Sequence, residues 1–189
     1  MRRLTIILSA LAILFSLGAC GGSQPQRVSA SSSASLAVKF DLTIPLKGHR
    51  ITGVALTPSG LPSGVVALQT VHDGRVTTIG SQRFHKLSDT SYLVVQTSAH
   101  DIELGWNIQD VKSNCAVAFP AGSVWAGGQY GNETMSPGDS ETVMTLTCDL
   151  GKGPADGSAV NDVSAESVAQ SKKYPNETAY CVTIRLDGP

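Results

Sequence analysis

Ile102-Glu103-Leu104-Gly105-Trp106-Asn107-Ile108 is apolar at every second position, with polar residues or glycine between. In an extended chain successive side chains point to opposite faces, so this spacing predicts a strand burying Ile102, Leu104, Trp106 and Ile108 on one side. The same period of two runs through Val38, Phe40, Leu42, Ile44 and Leu46. It returns in Met144, Leu146, Cys148 and Leu150, and again in Val182, Ile184 and Leu186. Less regular runs at 50–57, 64–72, 75–84, 91–98 and 113–119 predict strands with both faces partly covered.

Between these runs stand turn signals. His72-Asp73-Gly74-Arg75 offers Asp-Gly to a type I′ hairpin, whose two central residues need positive φ. Glycine and proline at 58–64, 120–122, 127–131 and 137–138 separate other strands. Many short strands with turns between them predict an all-β fold: a β-sandwich, immunoglobulin-like or related, of about seven to nine strands. One stretch departs from this pattern. Residues 162–173 place Ala165, Val168, Ala169 and Lys172 at helical spacing, with Asn161 or Asp162 as cap and Pro175 as stop. They predict one short surface helix inside a long polar connection, 151–176, of a length that is often functional or disordered.

The amino terminus carries an export signal. Arg2 and Arg3 precede fourteen uncharged residues, 4–17, rich in leucine and isoleucine. That core is shorter than the roughly 20 apolar residues of a stable span. Leu17-Gly18-Ala19-Cys20 follows, and it resembles the lipobox of bacterial lipoproteins. The resemblance implies that 1–19 is a cleaved signal peptide and that the Cys20 thiol receives a diacylglycerol. Gly21 in place of an aspartate is compatible with outer-membrane sorting in a Gram-negative host. Several acyl chains anchor a protein stably without spanning the bilayer. Residues 21–35, rich in Ser, Gly and Gln, then read as a flexible tether to a domain over 36–189.

Of 14 basic and 15 acidic residues, Arg2 and Arg3 belong to the leader, so the mature chain carries three more acids than bases. This balance argues against nucleic acid, which needs a basic footprint, and against docking on anionic lipid by charge. With Cys20 lipidated, Cys115, Cys148 and Cys181 remain. Strand phase turns Cys115 and Cys148 toward the core and Cys181 away, which predicts a Cys115–Cys148 disulfide; Cys148–Cys181 is the competing pair.

Chemical motifs are sparse. His49, His72, His85 and His100 lack metal-ligand spacing, and each falls at a turn. His85, His100 and Asp101 are the one set that would support a hydrolase or a metal site if they converged. Gly138-Asp139-Ser140 is followed by Glu141, lacks a paired base and reads as a turn. No cofactor is implied. Trp125 and Tyr130, in a glycine-rich stretch, are candidates for anchoring a partner or for insertion into a target's cleft.

Ile51-Thr52-Gly53-Val54, followed by Leu61-Pro62-Ser63-Gly64-Val65-Val66-Ala67-Leu68, is similar to small pilotin-like lipoproteins. That resemblance implies a non-enzymatic module that assists another envelope protein. Replacing Cys20 by serine should abolish incorporation of labelled palmitate, leave the leader uncleaved and move the protein out of the detergent phase in a phase-partition assay. A variant still labelled and detergent-partitioning would refute acylation at Cys20.

Overall fold

The computed structural model describes residues 34–47, 49–121, 123–129, 133–150 and 160–188. Cys20 and Tyr130 lie outside the described residues. The described chain forms eleven strands and one helix: β1 (Ser35–Leu46), β2 (His49–Ser59), β3 (Gly64–His72), β4 (Arg75–Phe84), β5 (Ser91–Ser98), β6 (Asp101–Ile108), β7 (Val111–Ala118), β8 (Ser123–Gln129), β9 (Glu133–Met135), β10 (Ser140–Leu150), α1 (Ala165–Ser171) and β11 (Glu177–Leu186). They build two antiparallel sheets, ordered β7-β6-β5-β2-β1-β9 and β4-β3-β11-β10-β8.

The fold is the all-β sandwich that alternation predicts, with more strands than the expected seven to nine. The additional ones come from the glycine-rich segment. Gly127 and Gly128, expected as punctuation, lie inside β8. A Cβ on Gly127 would stand 2.6 Å from Leu146 Cδ1, so glycine there lets β8 close against its neighbour β10. The three-residue β9 then returns to the first sheet beside β1.

Both sheets bury the face that carries the alternating residues, except that beyond the register shift between Phe40 and Leu42 in β1 Ile44 is exposed. Val54, Leu56, Leu93, Ile102, Leu104 and Trp106 of the first sheet meet Val66, Leu68, Leu146, Val182 and Ile184 of the second in one cluster. Each such side chain contributes about 1.5–3 kcal/mol when fully buried. At the far end of β7, Phe119 packs its ring 5.1 Å from that of Tyr180 on β11, joining the two layers.

Two expected half-covered strands are edges. β4 and β7 are exposed along most of their length, and they border the two sheets on the same side of the sandwich. Gly80 of β4 makes their approach possible. A Cβ there would lie 2.6 Å from Cys115 Cβ and 2.7 Å from its Sγ. A second tie sits at the β6–β7 turn. Gln109 and Asp110 hold φ of 50° and 64°, the type I′ geometry without glycine. The Gln109 side-chain amide accepts from His85 N at 3.1 Å and donates to His85 O.

The β3–β4 hairpin has the expected turn, with Asp73 at φ 46° and Gly74 at φ 72°. The helix differs from expectation. Its N-cap is Ser164, whose side chain accepts from Ser167 N at 3.2 Å, while Asp162 accepts from Ser164 N. Ala165, Ala169 and Lys172 face solvent, and Ser167 and Ser171 are buried. Ser171 Oγ donates to Val168 O at 2.7 Å and accepts from Gly74 N at 2.7 Å. Of the expected stripe Val168 packs against the sheet, and beside it small hydroxyls hold the helix to the hairpin turn by hydrogen bonds.

Gly80→Ala should destabilise the domain by about 1–3 kcal/mol, since the new methyl meets Cys115 in a packed layer. Urea unfolding followed by tryptophan fluorescence measures this; unchanged stability would mean that β4 and β7 pack less closely than described.

Candidate functional site

The residues singled out by sequence do not assemble. His100 directly precedes Asp101, the first residue of β6, whereas His85 is clamped by Gln109, just past its last. Eight residues of strand separate the two by about 23 Å at roughly 3.3 Å per residue. His85, His100 and Asp101, the set that would support a hydrolase or a metal site if it converged, therefore do not converge. Asp101 instead accepts from Ser98 Oγ, which itself accepts from His100 N at 3.0 Å and Asp101 N at 3.1 Å. These groups close the β5–β6 turn. Among the described residues no His, Cys, Asp and Glu side chains group as a metal site. His72 Nδ1 lies 2.8 Å from Glu177 O, tying the hairpin to β11. Asp139 accepts from Ser136 N at 2.7 Å, so its place beside Ser140 is that of a turn residue.

The expected Cys115–Cys148 bridge is not formed: Cys115, Cys148 and Cys181 are free thiols. Phase was read correctly, since Cys148 faces the core, Cys115 packs against it and Cys181 faces outward. Lateral position decides otherwise. Cys115 stands over Gly80 on β4, and Cys148 is on β10, three strands away. At about 4.8 Å per strand that is roughly 14 Å, beyond disulfide reach. The competing Cys148–Cys181 pair fails because the two point to opposite faces of the second sheet. Burial pushes the thiols of Cys148 and Cys181 up to about 12. Trp125 stands in β8 with its backbone opposite Cys148, in a strand where a loop was expected.

The outer face of the second sheet carries what sequence reading missed. Its cross-strand rows run Thr147-Ala179-Val71-Val76, Thr145-Cys181-Gln69-Thr78, Thr142-Thr183-Ala67-Ser81 and Ser140-Arg185-Val65-Arg83. The second half of the long connection lies over part of this face. Val160 is buried against Val71, Ala179 and Cys181, with Val163 and Val168 packed beside them. Thr145 and Thr147 donate to Asn161 O and Val160 O, binding the segment to β10.

The uncovered remainder is a groove of about 390 Å³ walled by Val163 and Val76 and floored by Val65, Ala67, Gln69, Thr78, Thr183 and Arg185. Its polar floor is directional. Thr183 Oγ1 donates to Gln69 Oε1 at 2.9 Å, and Gln69 Nε2 donates to Thr78 Oγ1 at 3.2 Å. Thr78 Oγ1 also carries a hydroxyl hydrogen and Gln69 Nε2 a second amide hydrogen, so both residues keep donor capacity on the floor. Arg185 is exposed at one end, while its row neighbour Arg83 is paired with Asp187 at 2.8 Å. Among the described residues no carboxylate or imidazole lines the groove. Volume and mixed lining are those of a small binding site.

No family model, curated protein or solved structure matches the chain. Among the described residues no helix is long and apolar enough to cross a membrane.

Beside the covered patch, Glu177 is buried directly opposite Asp149, and its Oε2 has no hydrogen-bond partner among the described residues. Burial, then Asp149, raises its carboxyl above the usual range. The folded state thus binds this proton more tightly than the unfolded chain, so ionisation of Glu177 costs stability as pH rises through its folded value. Glu177→Gln should stabilise the domain at pH 7 by roughly 0.2–1 kcal/mol, the scale of like charges facing each other across strands. The gain should shrink when urea unfolding is repeated near pH 4; a loss at pH 7 would contradict the repulsion.

Proposed function

We propose that this chain is a lipid-anchored lipoprotein of the cell envelope whose β-sandwich is a non-enzymatic binding or assembly module for another envelope protein. The basic start, short apolar core and Leu17-Gly18-Ala19-Cys20 support the anchor and the compartment. The tether sets the module close to the bilayer but free to meet a neighbour. In a Gram-negative host this places it at the outer membrane, facing the periplasm.

One observation carries the binding role: the groove on the second sheet, with apolar walls and a floor of aligned donors. Its side chains bind and orient. None of the described lining side chains supplies the base that a nucleophile needs, and the separation of His85 from His100 leaves the hydrolase alternative without the convergence that would support it. An inhibitor that presents Trp125 is also less well supported, because Trp125 belongs to a hydrogen-bonded strand.

Thr78→Trp would place an indole in the groove from exposed strand β4. Tagged wild type and Thr78→Trp, both purified from detergent-solubilised membranes after crosslinking, should differ in one or a few copurifying envelope proteins, lost from the variant. Identical recovery by both would remove the groove from the function.

A further inference from the structure

Resting on that reading, we infer that the groove recognises the carboxyl-terminal end of an extended polypeptide with an aliphatic last residue. The dimensions favour an extended chain. From Gln69 to Val65 the floor follows β3 for four residue steps, about 13 Å, and between β4 and β11 it is two strand spacings wide, about 10 Å. That length accepts three or four residues of extended chain; a lone short acid would fill one end.

The chemistry favours a free carboxylate at the Arg185 end. Arg185 is a cation on the groove with no ion-pair partner among the described residues, and none of the described lining residues is an acid that would compete with a ligand anion. Arg83, the other arginine of that row, already holds Asp187 and leaves the role to Arg185. A guanidinium binds a carboxylate through paired charge-assisted hydrogen bonds. Val65 lies directly beside Arg185 across the strand pair, and Ala67 is two residues further along β3. The last side chain of such a ligand therefore meets a methyl-lined floor. Further along, the Thr78 O–H and the second Gln69 N–H are donors suited to a peptide carbonyl.

The test titrates the full-length lipoprotein, in lipid nanodiscs, with acetyl-Ala-Ala-Val as its free acid, the same peptide as its terminal amide, and valerate. The free acid should bind saturably, with the amide and valerate each at least tenfold weaker. Arg185→Gln should weaken the acid at least tenfold and leave the amide unchanged, while Gln69→Leu should weaken acid and amide alike. Equal affinity for acid and amide, or an unaltered Arg185→Gln, would overturn the proposal, as would valerate binding as tightly as the tripeptide. Loss of the crosslinked partner from Thr78→Trp together with equal acid and amide binding would leave the binding-module function standing and remove only this ligand.

Discussion

A two-layer sandwich buries one face of each sheet, yet the second sheet is apolar on parts of both. Val66, Leu68, Val182 and Ile184 face the first sheet, while Val71, Ala179 and Cys181 face outward. The outward set would meet water if the chain ended its work at the two layers. The segment from Val160 through α1 supplies the missing third layer over that part. Most features peculiar to this domain follow from that local cover.

The cover is held by polar contacts as much as by apolar ones. Thr145 and Thr147 reach from β10 to its backbone, Ser171 links α1 to the β3–β4 turn, and Val160 fills the space over Cys181. A seven-residue helix is too short to be stable alone. It exists because its capping serine and its buried hydroxyls are satisfied where it docks. Among the described residues the cover reaches Val163, and the adjoining rows of the same face form the groove. The binding site is thus what remains uncovered when the extra apolar patch has been sealed.

Along the β4 edge the sandwich is drawn together over β4 and β7. Gly80 admits Cys115, and the Gln109 amide ties the β6–β7 turn to His85. This explains why two of the residues that draw the eye chemically, Cys115 and His85, are bound up in packing. Burial, then the Glu103 carboxylate, raises the half-buried Cys115 thiol above its ordinary range.

The sequence by itself determined the fold class, the faces of the alternating strands, the Asp73-Gly74 turn and the inward phase of Cys115 and Cys148. Each is set by residues within a few positions of one another, through the two-residue period of a strand or the φ of a tight turn. Tertiary structure decided whatever depends on lateral order. It put Cys115 over β4 and Cys148 three strands away, sent His85 and His100 to opposite ends of β6, and made a strand of the glycine-rich stretch around Trp125. The groove was hidden for the same reason. Gln69, Thr78, Thr183 and Arg185 read singly as outward polar residues of three separate strands, and only the order β4-β3-β11 makes them one surface. Local periodicity carries no information about which strand lies next to which.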